Sequence, residues 1–320
     1  MTEADKIRLG IIGLGAMGLE MLRVANQHSD YVVTVASDID TDAIDFIKEE
    51  FPAINFSSSP IDVIESDKVD AVYIASPPNS HAKYAILSMQ LGKAVFCEKP
   101  LTVNLPEGIE MVEAARETQM INAVNFALAD RHAVFEIERA VKSGEVGNIE
   151  GVEIRLLFPK WPRSFQSKAY WLNSRTQGGF IREVFSHFAY LTDRIVGPLV
   201  PRFLQLDFSN KDSVSSEVSA HGLFYAGNVP VKVSGQSQTA APETYEWNLY
   251  GSKLSYSLRN WDELYSSDGT EWKRVFLSCI RGTEHTRLTE FAKAIRGEKN
   301  CLPDFLTSLI VAQLVESFHR

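Results

Sequence analysis

Short apolar runs alternate with segments of helical periodicity along the first part of the chain. The runs at residues 7–13, 31–37, 69–75, 94–97 and 121–126 are separated by helical patterns such as residues 17–27 and 80–91. Consecutive apolar positions are typical of parallel strands that helices cover on both faces. The pattern therefore predicts an α/β domain with a doubly wound parallel sheet over residues 1–124.

A different pattern begins after Gly147. Apolar and polar residues alternate with a period of two in several long segments, which indicates strands with one covered and one open face. These segments lie at residues 149–158, 202–208, 215–225, 229–236, 243–250 and 253–258. Helical segments interrupt them at residues 182–196, 283–296 and 303–319. Residues 125–320 are therefore predicted to form an α+β domain with a large open, mainly antiparallel sheet.

The charge of the chain narrows the range of partners. The 320 residues carry a net charge of -9, distributed as -10 over residues 1–124 and +1 over residues 125–320. A negative surplus repels phosphate backbones and anionic lipid surfaces, which argues against nucleic acid and membranes as partners. No apolar stretch approaches the roughly 18–20 residues that a membrane span requires. We expect a soluble, cytoplasmic protein of two domains.

Cysteine and histidine spacing indicates neither a cross-link nor a metal site. Cys97, Cys279 and Cys301 are far apart and form no CxxC pair, and the seven histidines lack ligand spacing. We therefore expect free thiols, a reducing compartment and no metal centre.

A glycine-rich turn follows the first apolar run. Gly13, Gly15 and Gly18 form the pattern G-x-G-x-x-G, with Ala16 and Met17 at the opening of the next helical segment. The first glycine permits a tight turn, the second permits close approach of a pyrophosphate, and the third permits close packing of helix on strand. The positive end of the helix dipole then stabilises the phosphate charge. We predict that these five residues bind a dinucleotide.

Asp38 ends the second apolar run, twenty residues beyond Gly18. A carboxylate at this place accepts hydrogen bonds from the adenosine ribose of NAD and repels the additional phosphate of NADP. Its neighbours Ile39 and Asp40 supply no cation. We therefore expect NAD as the cofactor in preference to NADP.

Two polar segments follow the apolar runs at residues 69–75 and 94–97. Ligands of an open α/β sheet lie outside the carboxyl ends of its strands, so both segments are predicted to border the nicotinamide. The predicted contacts are Ser76, Pro77, Asn79 and His81 in the first segment and Glu98 and Lys99 in the second. Lys99 is also a candidate catalytic cation; the other interpretation is a solvated lysine at a strand end.

Together, the glycine turn, Asp38, the sequence Ser-Pro-Pro-Asn-Ser-His at residues 76–81 and Glu98-Lys99-Pro100 resemble the Gfo/Idh/MocA family of NAD(P)-dependent oxidoreductases. The resemblance implies a Rossmann domain followed by an α+β domain with a large open sheet. It also implies that Lys99 is the active-site lysine near the reacting oxygen and that Glu98 helps to fix it. By the same resemblance Asn125 lies near the nicotinamide, whereas packing at a strand end is the alternative.

The second signature of that family is a glycine turn followed by Asp-x-x-x-His on a helix, and residues 178–187 match it imperfectly. Glu183 stands where the family usually has Asp, Phe185 where it often has Gly, and Tyr190 where an Asp often follows. A separation of four residues places Glu183 and His187 on one helical face. The resemblance gives His187 a catalytic role and leaves open whether Glu183 binds substrate or orients its neighbours.

Oxidation of a secondary alcohol requires a base for the hydroxyl proton and a group that stabilises a developing alkoxide. Lys99 can stabilise the oxygen. The imidazole of His187 can take the proton, since a histidine has an unperturbed pKa of about 6.5. Which of the two is the formal base is left open, because coupled titrating groups share a proton.

Six cations and no carboxylate occur from residue 155 to residue 182. We hypothesise that one or two of them bind an anionic group of the substrate, with Arg163 and Lys168 as candidates. The alternative is a solvated loop whose charges match the acidic first domain or a neighbouring subunit. Trp161 and Trp171 are candidates for an apolar wall against a sugar ring, with core or lid packing as the alternative. The six cations are Arg155, Lys160, Arg163, Lys168, Arg175 and Arg182.

These features predict an NAD(P)-dependent oxidoreductase that transfers a hydride between nicotinamide and a secondary alcohol or ketone of a sugar, polyol or sugar acid. A redox-assisted glycosidase and a non-catalytic dinucleotide-binding regulator are the alternatives, and the presence of Lys99 and His187 argues against the regulator. The open sheet is predicted to form a homodimer or homotetramer. The predicted catalytic residues are Lys99, Glu183 and His187, and the predicted substrate contacts are Lys99, Trp161, Arg163, Lys168, Trp171, Glu183 and His187.

Overall fold

A computed structural model describes residues 6–166, 169–209, 214–277 and 281–320. The chain divides into two compact units. The first comprises Met1–Phe126 and Thr283–Leu309, and the second comprises Ala127–Gly282 and Ile310–Arg320. The functional division at residue 124 stays a prediction.

The elements in chain order are as follows. The strands are β1 (Ile7–Ile12), β2 (Tyr31–Ser37), β3 (Asn55–Ser57), β4 (Ala71–Ile74), β5 (Ala94–Cys97), β6 (Asn122–Val124), β7 (Ile149–Phe158), β8 (Leu199–Phe208), β9 (Glu217–Ala226), β10 (Val229–Ser237), β11 (Thr244–Gly251), β12 (Ser255–Arg259), β13 (Glu263–Ser267) and β14 (Lys273–Arg274). The α-helices are α1 (Ala16–Gln27), α2 (Thr41–Ile47), α3 (Pro60–Glu65), α4 (His81–Gln90), α5 (Leu105–Thr118), α6 (His132–Lys142), α7 (Ser186–Val196), α8 (Glu284–Ile295) and α9 (Phe305–Glu316).

The first unit is built on a six-stranded parallel sheet. Its strand order is β3-β2-β1-β4-β5-β6, so the order reverses direction between β1 and β4. Strands β1, β4 and β5 are apolar and almost wholly buried, because helices cover both faces of the sheet. This arrangement confirms the predicted doubly wound parallel sheet.

Helix α8 packs with the first unit, although it follows the second sheet along the chain. The rings of Phe291 on α8 and Phe96 on β5 are stacked, with centroids 4.9 Å apart. The hydroxyl of Tyr31 donates to the carbonyl oxygen of Leu288 at 2.8 Å. Helix α8 is therefore in place to contribute side chains to the nucleotide sheet.

The second unit is built on an eight-stranded sheet of order β14-β13-β12-β11-β7-β10-β9-β8. The pair β7–β10 is parallel and the other neighbours are antiparallel, which confirms the predicted mainly antiparallel sheet. Period-two alternation is plain in β7, where Ile154 and Leu156 are buried and Glu153 and Arg155 are exposed.

Aromatic side chains fill the covered side of this sheet. The rings of Phe185 and Phe224 stack with centroids 6.0 Å apart, and Phe318 contacts both rings. Phe180 lies so close to Gly235 that a Cβ added there would be 2.4 Å from its ring. The residues that precede α7 are thereby fixed to the sheet.

The apolar pattern missed some short elements, namely β3 and α3 in the first unit and the hairpin β13–β14 in the second. Elements of so few residues do not display a period.

Among the described residues, no helix combines the length and apolar character that a bilayer crossing demands. Within the same residues, no three His, Cys, Asp or Glu side chains are grouped as metal ligands. Cys97 and Cys301 are free thiols, and Cys279 lies outside the described residues.

Candidate active site

The glycine turn between β1 and α1 has the geometry that close approach of a ligand requires. Gly13 has a φ of +94°, which favours glycine, and its N–H donates to the Ser37 carbonyl at 2.8 Å. A Cβ on Gly18 would lie 1.8 Å from the Gly13 carbonyl oxygen, so helix and turn are in direct contact. A Cβ on Gly15 would meet no atom within 4 Å. The turn is thus tight on its inner side and open at Gly15, where α1 begins.

Asp38 lies against this turn. Its Oδ2 accepts a hydrogen bond of 2.6 Å from the N–H of Leu14, and its Oδ1 accepts one of 2.8 Å from the N–H of Asp40. The carboxylate is therefore fixed beside the turn. Open space at Gly15, the N–H groups at the start of α1 and a neighbouring carboxylate fit the pyrophosphate and ribose of an adenosine dinucleotide.

The carboxyl ends of β4 and β5 bring two further candidate segments together. Ile74 pairs with Cys97 in parallel register, so Ser76 and Lys99 each lie two residues beyond paired strand ends. Lys99 is half-buried, and Pro77 and Asn79 are exposed. The hydroxyl groups of Ser76 and Ser80 are 2.6 Å apart. The arrangement presents an ammonium group and a polar turn at one edge of the sheet.

His81 differs from the other predicted cofactor contacts. It is fully buried at the start of α4. Its ring nitrogens face the backbone carbonyl groups of Ser76, Pro100 and Leu101. Its polar atoms are thus directed into the protein backbone.

Glu98 lies at the centre of a buried hydrogen-bond network under Lys99. Its Oε1 accepts from the hydroxyl of Tyr73 and, at 2.7 Å, from Nδ2 of Asn125. Its Oε2 accepts from the backbone N–H of Lys99 at 3.3 Å. Burial raises the pKa of Glu98, and the positive charge of Lys99 opposes this effect. The carboxylate holds the main chain at Lys99, in agreement with the expectation that it fixes this residue.

Asn125 connects this network to α8. Its Nδ2 also donates to Oε2 of Glu284 at 2.9 Å, and its Oδ1 accepts from Nε of Arg287 at 2.6 Å. Arg287 and Glu284 form an ion pair whose side chains are both almost completely buried. Tyr73, Glu284 and Arg287 were missed by sequence reasoning. Tyr73 is hidden in an apolar strand, and the two α8 residues lie far away along the chain.

In the second unit, Glu183 lies in a π-helical turn, Ile181–Phe185, that leads into α7. Single π-helical turns are frequent at functional sites. Oε1 of Glu183 accepts from Gln166 at 2.8 Å and from Arg163 at 3.2 Å. The Arg163 guanidinium also donates to the hydroxyl of Tyr245 at 3.0 Å. Arg163 and Glu183 form an ion pair, so the charge of Arg163 is balanced within the unit.

His187 lies near the start of α7 and is 5% exposed. Its Nδ1 accepts a hydrogen bond from the backbone N–H of Ala127 at 3.2 Å. This nitrogen therefore carries a lone pair, and the proton of the neutral ring lies on Nε2. The indole of Trp261 meets the imidazole at a right angle, with centroids 5.1 Å apart. In this tautomer Nε2–H is the donor group of the ring.

Trp261 occupies the turn between β12 and β13. Asn260 and Trp261 have φ values of +47° and +73°, a conformation that costs energy for residues with side chains. The indole stacks on Phe188 and contacts the ring of Tyr245, with centroids 5.3 and 5.0 Å apart. Sequence reasoning missed Trp261, Tyr245 and Gln166, because none of them belongs to a local motif.

The remaining candidates differ in their burial and in their partners. Trp161 is buried, and its Nε1 donates to the Leu172 carbonyl at 3.1 Å. Trp171 is half-buried in the 3₁₀ turn Tyr170–Asn173. Lys168 lies outside the described residues. The other cations are Arg155, Lys160 and Arg175, which are exposed, and Arg182, which is buried and paired with Glu316.

A family model described as "Oxidoreductase family, NAD-binding Rossmann fold" matches residues 7–126. These residues include the glycine turn, Asp38, Lys99 and Asn125. This model is that of the Gfo/Idh/MocA oxidoreductases. The Gfo/Idh/MocA resemblance seen in the sequence is thus confirmed.

Curated relatives match this chain over about half of its length. An inositol 2-dehydrogenase of Rhodococcus erythropolis is 29% identical over 170 residues, which are 52% of this chain and 49% of the relative. A 2,7-anhydro-N-acetylneuraminate hydratase of Escherichia coli is 30% identical over 144 residues, which are 45% of this chain and 38% of the relative. The chain thus spans half or less of the length of these relatives.

A solved structure extends the likeness over the complete fold. Levoglucosan dehydrogenase, in complex with NADH and levoglucosan, superposes with a TM-score of 0.86 and 19% sequence identity. The match covers 98% of this chain and 96% of that chain. The two-domain fold is therefore shared with that dehydrogenase.

Proposed function

We propose that the protein is an NAD(P)-dependent oxidoreductase that interconverts a secondary alcohol and a ketone on a sugar or polyol. The observation that carries this proposal is the glycine turn, open at Gly15 and hydrogen-bonded through Leu14 to Asp38, on the sheet edge that also carries Lys99. The family match to the same residues supports it. The named activities of the inositol and levoglucosan dehydrogenases indicate the substrate class.

NAD is the proposed cofactor, with NADP less favoured. The carboxylate of Asp38 is held beside the turn, where it repels an additional phosphate on the ribose. When bound, the nicotinamide supplies the hydride acceptor or donor. The residues proposed to contact the dinucleotide are Gly13, Gly15, Ala16, Met17, Gly18, Asp38, Ser76, Pro77 and Asn79. Glu98 acts through the main chain at Lys99, whose N–H donates to its carboxylate, and Asn125 acts through its own hydrogen bond to Glu98.

Lys99 is the proposed base. An amine takes the hydroxyl proton of the alcohol, and the ammonium group formed in this way stabilises the negative charge left on the substrate oxygen. His187 is a poor base in this structure, because a proton gained at Nε2 requires Nδ1 to carry the other ring proton. That proton would face the N–H of Ala127, which now donates to Nδ1. We assign His187 the role of donating from Nε2–H to substrate in the same reaction.

Glu183, with Arg163, is proposed to bind the carbohydrate. A carboxylate accepts hydrogen bonds through two oxygens, and substrate hydroxyl groups are suitable donors. Because the charge of Arg163 is balanced by Glu183, Arg163 supports a neutral substrate better than an acidic one. Tyr245 and Trp261 offer the aromatic surface against which a sugar ring packs. Lys168 stays a candidate for an anionic group.

The test is a fluorescence titration with NADH and NADPH, followed by a panel of inositols, sugars and sugar acids monitored at the nicotinamide absorbance. We expect tighter binding of NADH and substrate-dependent reduction of NAD with at least one neutral polyol or sugar. Failure to bind either dinucleotide would exclude the proposed function. Turnover of acidic substrates alone would exclude the proposed role of Arg163 and Glu183.

Redox-assisted cleavage or hydration of a sugar is the second candidate. It is favoured by the similarity to the hydratase of Escherichia coli, whose reaction is not named as an oxidation. In such a reaction the cofactor is restored in each cycle, so product accumulates without net formation of NADH. Product analysis by mass spectrometry, alongside the absorbance assay, distinguishes the two candidates. A regulator without turnover would bind NADH and yield neither product.

We also propose that the protein forms a homodimer or homotetramer through its second sheet. One face of this sheet carries the aromatic core, and the other presents Arg155, Lys232, Gln236 and His221, which are exposed. Light scattering at micromolar concentration tests the proposal. A monomer under these conditions would contradict it.

A further inference from the structure

His81 is the first residue of α4 and is fully buried. It follows directly on the 3₁₀ turn Pro78–Ser80, and thus lies behind the polar turn that begins at Ser76. A buried imidazole is costly unless its nitrogens find hydrogen-bond partners. The partners of this ring are the basis of the inference.

The ring of His81 reaches two separate segments of the chain. Its Nε2 is 2.8 Å from the carbonyl oxygen of Ser76. Its Nδ1 is 3.0 Å from the carbonyl oxygen of Pro100 and 3.3 Å from that of Leu101. Carbonyl oxygens only accept hydrogen bonds, and the neutral ring has a single N–H, so it donates to one segment while its other nitrogen packs against the carbonyl group of the other segment. The tautomer decides which segment receives the hydrogen bond.

Both segments belong to the machinery of the proposed function. The backbone at Ser76 supports the glycine turn, because a Cβ on Gly13 would lie 2.7 Å from the Ala75 carbonyl oxygen and 2.9 Å from the nitrogen of Ser76. Pro100 and Leu101 directly follow Lys99. A continuous chain of contacts therefore runs from the nucleotide turn through Ser76 and His81 to the residue that carries the catalytic amine.

We propose that His81 is a positioning residue that connects the Ser76 turn to the segment after Lys99. In this way it fixes the position of the Lys99 amine relative to the bound dinucleotide. The inference rests on the proposed function and deepens it. His81 acts through the main chain on both sides and contacts neither cofactor nor substrate through its ring nitrogens.

Simple filling of the core is the competing account. Burial lowers the pKa of His81, and the three carbonyl contacts oppose this effect. An apolar side chain would fill the same volume without the cost of burying a polar ring. The polar contacts are therefore the property that a test must separate from volume.

Two substitutions separate the contacts of His81. The amide nitrogen of asparagine lies near the position of Nδ1, and that of glutamine lies near the position of Nε2. His81→Asn thus retains a donor toward Pro100 and Leu101 and loses the one toward Ser76, whereas His81→Gln retains the donor toward Ser76 only. The two variants thus test the contact of each ring nitrogen separately.

We expect only one of the two variants to fail, because the neutral ring makes only one of the two hydrogen bonds. Loss of one buried hydrogen bond corresponds to roughly a tenfold change. If Nε2 carries the proton, His81→Asn should raise the Kd for NADH about tenfold and leave kcat within about twofold of wild type. If Nδ1 carries it, His81→Gln should lower kcat about tenfold and leave the Kd for NADH within about twofold. The other variant of the pair should keep both constants within about twofold, and His81→Leu should show the same defect as the failing variant.

His28 supplies the matched control. It is also a buried histidine of the first unit, with Nε2 3.0 Å from the hydroxyl of Thr289. His28→Asn and His28→Gln should lower the melting temperature without changing kcat or the Kd for NADH. The His81 inference fails if its Asn and Gln variants change both constants together, change neither, or match the His28 variants.

The outcomes also separate this inference from the proposed function. If the wild-type protein binds NADH and turns over a substrate but neither variant shows its single defect, only the role of His81 is overturned. If it binds NADH without turnover of any panel substrate, the proposed function fails, and the Kd measurements still test the Ser76 half. If it binds neither dinucleotide, both are overturned.

Discussion

The two compact units form their functional groups in different ways. In the first unit, the backbone conformation shapes the candidate cofactor site. Gly13 provides a left-handed turn, Gly15 provides open space, and strand register places Lys99 beside Ser76. In the second unit, contacts between side chains position the candidate residues. Arg163 and Gln166 donate hydrogen bonds to Glu183, and the ring of His187 contacts Trp261. Sites built from backbone leave short motifs in the sequence, whereas sites built from side-chain contacts leave few.

The two units should also differ in how their stability depends on substitution. A backbone turn depends on residues that tolerate its conformation, so its sequence requirement is local. The ion pair of Arg163 and Glu183 is mostly buried and is stable only while both partners are present. The second unit should therefore respond to substitution through coupled side chains, and the first through single positions.

The most severe single substitution should fall in the first unit. Lys99→Met removes the proposed base and should lower kcat by about a thousandfold while the Kd for NADH stays within about twofold. Steady-state kinetics and fluorescence titration measure the two constants. Lys83→Met, at an exposed position of α4, is the control. A loss of kcat below about tenfold would remove Lys99 from the mechanism.

His187 offers the corresponding test in the second unit. His187→Ala removes the Nε2–H donor and should lower kcat by about a hundredfold. His187→Gln returns an amide donor near that position and should recover activity to within about fivefold of wild type. Equal loss in both variants would identify His187 as the base instead. The pH profiles of the two variants provide an independent comparison.

The pair Arg163–Glu183 tests the idea that the second unit depends on coupled side chains. Arg163→Met leaves a buried carboxylate without its partner and should cost about 3 kcal/mol of unfolding free energy. The double variant with Glu183→Gln should recover part of this loss, which urea denaturation can measure. Arg139→Met, which breaks exposed ion pairs with Glu136 and Glu145, should change the unfolding free energy much less. Strictly additive losses at Arg163 and Glu183 would contradict the coupling.

Asp38 tests the opposite idea, that single positions dominate the first unit. Asp38→Ala should raise the Kd for NADH about tenfold and lower the Kd for NADPH, because the repelling carboxylate is gone. Asp40→Ala is the matched control, since Asp40 is exposed and caps α2 through the N–H of Asp42. An unchanged ratio of the two dissociation constants in Asp38→Ala would show that selectivity lies elsewhere.

The smallest expected effect concerns acid stability in the second unit. Burial, together with the charges of Arg182 and Arg175, lowers the pKa of His319 to about 3. The unfolded chain takes up this proton below a pH of about 6.5, so the unfolding free energy should fall as the pH falls from 6.5 toward 3. The slope from this group is at most about 1.4 kcal/mol per pH unit.

His319→Gln should flatten that acid slope in urea denaturation measured between pH 6.5 and pH 4.5. His221→Gln, at an exposed position of β9, serves as the control. If the wild type and His319→Gln lose stability in parallel, the buried imidazole is not responsible for the slope.

Much of the first unit could be predicted because its signals are local. The apolar runs predicted the strands, and a hydrogen bond from Leu14 to Asp38 joins two motif parts that the sequence had already associated. The network beneath Lys99 could not be predicted. Asn125 meets Glu284 and Arg287 only because α8 packs on this unit, and no spacing rule connects residues so far apart.

The second unit shows the same limit more strongly. Period-two alternation predicted most of its strands, and the glycine turn before α7 indicated Glu183 and His187 as site residues. The partners of these residues were not predicted: for Arg163 the sequence left open an anion of the substrate or a solvated loop, and in the structure it forms an ion pair with Glu183. Whether it also contacts substrate stays a prediction. The contacts of Trp261 depend on a turn whose left-handed residues carry no glycine signal.

The sequence by itself determined the two sheets, the nucleotide turn and the identity of the candidate catalytic groups, because periodicity and turn chemistry act between neighbours along the chain. Only the tertiary structure decided which hydrogen-bond and ion-pair partners the side chains have. It turned Nδ1 of His187 toward the Ala127 N–H, balanced Arg163 with Glu183, and directed both nitrogens of His81 to backbone carbonyl groups. The physical reason is that a hydrogen bond is set by distance and direction in space, and residues brought together by packing need share no pattern along the chain.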